Sequence, residues 1–291
     1  MKILRIFLVL TVFLSSAFSH AFWINLSEHT AHKPGHLLVN IGWGHKIPID
    51  DILNSENGSI NLEKFQMIDE KGKIFKLYFP EFIAPKPFEE DKNFSIYKAD
   101  FAFNKISLKD NMLKNTIFES TTKPAFVTQY IDKNGKMRLK QKPLDEIDDV
   151  SKVLFALKYQ AFAKRYLNYK GKAKPLGHAL EIMPKSDMSD LKVGDEVEFE
   201  VLFNGEKISL SDKMNEFIRA DCENLNQIGG TAYYSFLMDG VAKIRLDKPG
   251  QWVISASHDE KVEKDGKLKE LFRKTKSVFY MASFSFYVKD R

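Results

Sequence analysis

The sequence has one cysteine, Cys222, among 291 residues. A single thiol excludes an internal disulfide framework and any zinc or iron–sulfur site built from several thiolates. A metal site in this chain would therefore depend on histidine and carboxylate ligands. Asp221 and Glu223 flank the thiol and oppose its ionisation, so we do not expect Cys222 to act as a nucleophile.

The chain also lacks a strong excess of charge of one sign. It has 44 basic and 39 acidic residues, which give a formal net charge of +5, and the two kinds are interspersed. Nucleic-acid binding needs a concentrated basic face, so we expect no nucleic-acid partner. A phosphate loop and a Gly-x-Ser-x-Gly nucleophile elbow are missing too. We therefore expect a binding protein and not an enzyme.

Long hydrophobic runs are missing after the first residues of the chain. Met1 to Arg5 is a basic start, Ile6 to Leu14 is an apolar run too short to span a bilayer, and small residues follow. This pattern predicts a secretory signal peptide over residues 1–19, a periplasmic location and no transmembrane segment in the mature chain. Cleavage after Ser19 would leave His20 as the first residue, whereas cleavage after Ala21 would remove it.

Short runs of aliphatic and aromatic residues, most of them separated by turn residues, dominate the rest of the chain. They predict a mainly β protein with two antiparallel, Ig-like β-sandwich domains, over residues 20–144 and 175–291. The lysine- and glutamate-rich segment 259–276 is predicted to be a solvated hairpin extension. A docking loop for an acidic partner is the less favoured alternative.

One segment between the two domains departs from the β pattern. Apolar residues from Val150 to Phe162 recur at helical spacing with charges on the other side, which predicts an amphipathic helix. The stretch from Lys170 to Pro175 then predicts a linker. Residues 145–174 are accordingly predicted to be a helix and linker that join the two sandwiches.

The positions of the seven histidines bear on function. His20 shares a strand face with Phe22 and Ile24, and His45 continues the apolar face of the next strand. A hairpin through Pro34-Gly35 would place these two histidines side by side. His178 and His258 also stand at the ends of apolar strand faces. The pattern predicts a joint metal site of His20, His45, His178 and His258, and the alternative is a set of half-buried rim histidines.

His29, His32 and His36 form a separate His-x-x-His-x-x-x-His run. We favour polar residues of an exposed turn beside Pro34 as its interpretation, because loop imidazoles have no rigid surroundings. A metal-scavenging loop is the alternative.

Several short motifs occur in an order that covers nearly the whole chain after residue 19. The first is His20-Ala-Phe-Trp23, and the others are Gly44-His45-Lys46-Ile47-Pro48, Gly177-His-Ala-Leu-Glu-Ile-Met-Pro184, Gly194-Asp195 through Asn204-Gly205, and Gly250-Gln251-Trp252 through His258. Together they resemble the NikK-like additional periplasmic components associated with nickel and cobalt uptake transporters.

The resemblance implies periplasmic metal handling, with nickel or cobalt favoured, beside a membrane metal transporter complex. It also implies cleavage before His20 and ranks His20, His45 and His258 above His178 as ligands. His29, His32 and His36 match none of the motifs, and segment 259–276 departs from the family pattern.

The residue types alone do not identify which metal ion would bind. Imidazoles suit nickel, cobalt, copper and zinc, and raw affinity favours copper. Free imidazole has a pKa of about 6.5 and an α-amine of about 7.7, so we expect metal affinity to fall between about pH 8 and 6. Two other functions stay open, a structural or adhesive β-sandwich that binds a partner and a copper-binding redox protein.

Overall fold

The computed structural model describes residues 20–50, 54–55, 58–80, 87–109, 113–172, 174–208, 217–225 and 233–291. The predicted signal peptide over residues 1–19 lies outside this range. The described part of the chain is mainly β, as predicted. Its helical segments are two short 3-10 helices, Leu144–Glu146 and Lys269–Leu271. No helix in these ranges is long and apolar enough to cross a membrane.

Twelve of the described strands precede residue 145. They are β1 (Ala21–His29), β2 (His36–Gly44), β3 (Asn54–Ser55), β4 (Gly58–Ser59), β5 (Leu62–Ile68), β6 (Ile74–Lys76), β7 (Glu89–Glu90), β8 (Ser95–Ile96), β9 (Asn104–Ser107), β10 (Thr116–Thr122), β11 (Ala125–Asp132) and β12 (Met137–Lys140).

Nine more described strands follow. They are β13 (Val150–Leu167), β14 (Leu180–Pro184), β15 (Glu196–Phe203), β16 (Glu206–Lys207), β17 (Phe217–Cys222), β18 (Tyr233–Phe236), β19 (Val241–Arg245), β20 (Gly250–Lys261) and β21 (Ser277–Val288).

A ten-stranded sheet forms the centre of the fold, in the order β18-β17-β20-β21-β13-β10-β5-β6, with β11 and β12 attached beside β13. Its pairs are antiparallel except for β13 with β21, which run parallel. The sheet takes strands from both sides of residues 145–174. The domain boundaries stay a prediction, as does the Ig-like topology of the sandwiches.

Two smaller sheets cover opposite faces of this central sheet. The sheet β1-β2-β9 packs on one face, where Phe22 and Ile24 join a core with Phe65 and Phe118. The sheet of β14, β15, β16 and β19 packs on the other face, where Phe199 joins a second core. Side chains of adjacent residues in the central strands therefore point into different cores.

The predicted amphipathic helix is wrong, because residues Val150–Leu167 form the 18-residue strand β13. Residues 161–167 are all buried, since this part of the strand has a core on each face. A strand buried on both faces does not show a two-residue alternation, so apolar residues fell at helical spacing without forming a helix. Lys164 and Arg165 are among the charged residues that the helix prediction placed on the solvent-facing side, and both are buried.

The predicted hairpin through Pro34-Gly35 is confirmed. Strands β1 and β2 pair antiparallel along their whole length, from Ala21 opposite Gly44 to His29 opposite His36. A second hairpin forms at Asn204-Gly205, between β15 and β16. Segment 259–276 extends the β20–β21 hairpin, and Val262 and Leu271 bury a small apolar cluster within it.

Candidate functional site

The open end of the β1–β2 hairpin brings two of the predicted histidines together. His20 precedes Ala21, and His45 follows Gly44, the cross-strand partner of Ala21. The centroids of the two imidazole rings lie 4.1 Å apart, with the ring planes inclined by 51°. The hairpin register therefore places two imidazoles at one edge of the sheet.

The loop after β2 holds His45 through Asp50. Oδ2 of Asp50 accepts hydrogen bonds from the backbone N–H groups of His45 at 2.6 Å and of Lys46 at 3.2 Å. The same oxygen lies 3.5 Å from Nδ1 of His45. A carboxylate beside Nδ1 favours the tautomer with its proton there, which leaves Nε2 as the donor for a ligand.

Gly44 allows this close approach of Asp50 to the backbone. Its φ of +125° lies in the region that side chains rarely adopt, and an added Cβ would stand 2.6 Å from Oδ2 of Asp50. On the far side of the loop, the carbonyl of Pro48 accepts hydrogen bonds from Nε1 of Trp23 at 3.1 Å and Nδ2 of Asn25 at 2.9 Å. The loop is thus tied to β1 as well as to β2.

Aromatic side chains form one wall beside the pair. The ring of His20 stacks on Trp43, with centroids 5.3 Å apart and planes within 15°. The rings of Trp43 and Tyr159 of β13 meet in a T-shaped arrangement, with centroids 6.3 Å apart. The hydroxyl of Tyr159 is buried without a hydrogen-bond partner among the described residues, and burial raises the pKa of Tyr159.

His178 lies elsewhere, inside the core between the central sheet and β14. Its Nε2 stands 2.7 Å from Oε2 of Glu119. Its ring stacks on that of Phe162, with centroids 5.1 Å apart. Only 6% of His178 is exposed. Its Nδ1 is buried with no hydrogen-bond partner in the described part of the chain.

A buried ion pair lies close to His178. Nζ of Lys164 is 2.7 Å from Oε1 of Glu181, and both side chains are 2% exposed. Burial lowers the pKa of Lys164 despite the charge of Glu181. Burial raises the pKa of Glu119 and of Glu181, but the partners His178 and Lys164 outweigh burial, so both pKa values lie below the ordinary range.

His258 is half-buried on β20 and faces the same side as Ile254 and Ala256. The centroid of its ring lies 4.1 Å from the ring centroid of Phe203, which stands at the end of β15. Val253, which points the other way, packs with Ala21 and Trp23. His258 therefore lies on the face of the central sheet that is turned away from the β1–β2 hairpin.

The four predicted ligands accordingly fall into separate places. His20 and His45 are adjacent, whereas His178 and His258 lie with the core on the opposite face of the central sheet. In the ranges that the structure describes, no group of three or more histidine, cysteine, aspartate or glutamate residues is arranged to hold a metal ion. Cleavage before His20 would add its α-amine as a further nitrogen beside the two imidazoles.

Two features of the fold were not predicted from the sequence. The buried cluster of Glu119, Lys164, His178 and Glu181 had no visible signal, because charged residues of β13 fit the polar side of a helix. His29 and His36 were predicted to lie in an exposed turn, but His29 is the last residue of β1 and His36 is the first residue of β2. Their rings stack on each other with centroids 4.9 Å apart. Cys222 is buried, and burial together with the charge of Glu223 raises the pKa of its thiol.

A protein family matches most of the chain. The family is described as "Domain of unknown function (DUF4198)", and it matches residues 17–260. The chain belongs to this family. The matched range contains all the histidines discussed above, including the hairpin pair His20 and His45. No curated protein matches the chain.

Proposed function

We propose that the exported chain binds a divalent transition-metal ion at the open end of the β1–β2 hairpin. His20 would supply its α-amine and imidazole, and His45 would supply a third nitrogen. The adjacency of the two imidazoles, with ring centroids 4.1 Å apart, carries the proposal. The resemblance to NikK-like components favours nickel or cobalt, and a role as the periplasmic accessory component of a metal uptake transporter.

The surroundings of the pair suit a metal site. Asp50 stands at Nδ1 of His45, and histidines that bind metal usually have such a carboxylate at the ring nitrogen that faces away from the metal. Trp43 covers one face of His20 and restricts its ring. Three nitrogens on a rigid sheet edge would leave further coordination positions for water or for a group from a partner.

His178 and His258 stay predictions as ligands. The first is hydrogen-bonded to Glu119 inside the core, and the second packs against Phe203. The site proposed here requires neither of them. Removal of His258 therefore provides a matched control, because it deletes one imidazole on the far face of the same sheet.

The proposal is tested by metal binding to protein exported through its own N-terminal segment. N-terminal sequencing should start at His20, and elemental analysis should detect bound nickel, cobalt, copper or zinc. Titration calorimetry on the metal-free protein should show at least tenfold weaker Ni²⁺ binding for His45→Ala and unchanged binding for His258→Ala. A mature chain that begins at Phe22, or equal affinities for His45→Ala and the parent protein, would contradict the proposal.

A copper redox function is the second candidate, and the contact of Trp43 with Tyr159 favours it. Both side chains can be oxidised, and Trp43 links the imidazole of His20 to the buried phenol of Tyr159. Oxygen consumption by the copper-loaded protein with a reductant would support this function. A metal-loaded protein that consumes no oxygen would leave metal carriage as the activity.

A further inference from the structure

The far end of the same hairpin carries a second histidine pair. His29 and His36 are the last cross-strand partners of β1 and β2, and their rings stack with centroids 4.9 Å apart and planes within 13°. The hairpin thus has two neighbouring imidazoles at each of its ends. None of the motifs that resemble the NikK-like family includes His29 or His36.

The backbone around the pair is held on both sides. His36 pairs with His29 of β1 and also with Ser107 of β9, so its strand is not an edge strand at this point. The turn between the histidines is tied down as well, because the N–H of Leu108 donates a 3.0 Å hydrogen bond to the carbonyl of Gly35. Two Cα positions on paired strands therefore present the imidazoles, whereas the sequence pattern favoured an exposed turn.

The side chains are suited to bind a cation between them. Directly opposed residues of antiparallel strands have Cβ atoms about 4.5–5.5 Å apart, and metal–imidazole bonds are about 2.0–2.1 Å long. The rings are accessible to solvent, so they can rotate from the stacked arrangement and direct one nitrogen each toward a shared ion.

We propose that His29 and His36 form a second site for a divalent transition-metal ion, with water completing the coordination. The β1 strand places it about 30 Å from His20, at roughly 3.3 Å per residue over nine residues. Two imidazole donors bind less tightly than two imidazoles and an amine, so this site should be at least tenfold weaker than the first. The proposal is independent of the proposed function, because it uses different residues.

The experiment is a Cu²⁺ and Ni²⁺ titration of the full mature chain by calorimetry, with the stoichiometry as the readout. We expect two ions per chain for the parent protein, and one ion for His36→Gln and for His29→Gln. His32→Gln removes an exposed imidazole from the same turn and should keep both ions. Circular dichroism should show that all three variants are folded.

A distance measurement adds an independent readout. Pulsed dipolar electron paramagnetic resonance on the protein with two Cu²⁺ ions should report a separation of about 30 Å, and His29→Gln should abolish that signal. A second ion that survives both His29→Gln and His36→Gln, or that His32→Gln removes as completely, would overturn the second site.

The two proposals fail in different ways. If His45→Ala removes the single ion that the chain binds, the first site stands and the second is wrong. If one ion remains in His45→Ala and in the parent protein, and His36→Gln removes it, the second site stands and the first is wrong.

Discussion

At the scale of single residues, the conformation of Gly44 fixes the position of His45. Its positive φ lets the chain turn out of β2, and the missing side chain makes room for Asp50 against the backbone. The carboxylate of Asp50 then accepts hydrogen bonds from the backbone N–H groups of His45 and Lys46, and it lies beside the imidazole of His45. The placement of a candidate ligand thus rests on a glycine that binds nothing itself.

Gly44→Ala should therefore destabilise the fold and displace His45. We expect a loss of about 2–3 kcal/mol in the free energy of unfolding, since strain at a positive φ adds to a clash with Asp50. Urea unfolding measures the loss. Gly72→Ala is the matched control, because Gly72 has a φ of +78° and its added Cβ would meet nothing within 4 Å. Equal losses for the two variants would show that Asp50 does not press on this position.

At the scale of elements, β13 places charged residues in both cores. Lys164 points toward β14, where it meets Glu181, while Arg165 points toward β1, where it donates a 3.2 Å hydrogen bond to the carbonyl of Leu26. Burial lowers the pKa of Arg165 to about 10. The strand therefore joins the two outer sheets through polar contacts as well as through apolar packing.

Removal of one partner of the Lys164–Glu181 pair should be costly. Glu181→Ala leaves an uncompensated buried ammonium, and we expect it to lower the free energy of unfolding by about 3–5 kcal/mol. Replacement of both residues, Lys164→Met with Glu181→Leu, should cost much less. The exposed pair Lys243–Glu198, at 2.8 Å, is the control; Glu198→Ala should cost less than about 1 kcal/mol. Similar urea midpoints for Glu181→Ala and Glu198→Ala would refute this role.

The contrast between β1–β2 and β13 shows how far the sequence predicts the fold. The hairpin is marked by its Pro-Gly turn and by apolar residues two apart, such as Phe22 and Ile24, so its register and the adjacency of His20 and His45 follow from the sequence. The period of β13 is hidden, because cores on both faces remove the alternation. The partners of Lys164 and His178 come from β14 and β10, and pairings between such distant segments leave no local pattern.

At the scale of the whole molecule, the buried charges link stability to pH. Glu119 and Glu181 both have pKa values below the ordinary 4.5 because of His178 and Lys164. In the unfolded chain these carboxyl groups take up protons first as the pH falls. Their contribution to stability is thus complete above about pH 4.5 and is lost as the pH falls through the folded-state values.

We therefore predict that the free energy of unfolding decreases from pH 6 to pH 3.5. Glu119→Gln should be less stable at pH 6, and its stability should depend less steeply on pH over this range, because it lacks one of the carboxyl groups with a lowered pKa. Urea titrations at several pH values measure both effects. A pH dependence identical to that of the parent protein would show that Glu119 does not contribute.

The proposed metal site depends on the amine and the imidazole of one residue acting together. Insertion of a single glycine ahead of His20 in the mature chain keeps every side chain and moves only the amine. Calorimetric titration with Ni²⁺ should then show at least a tenfold loss of affinity at the stronger site, a change of about 1.4 kcal/mol. An unchanged affinity would mean that the amine of His20 is not a ligand and that the site does not form as proposed.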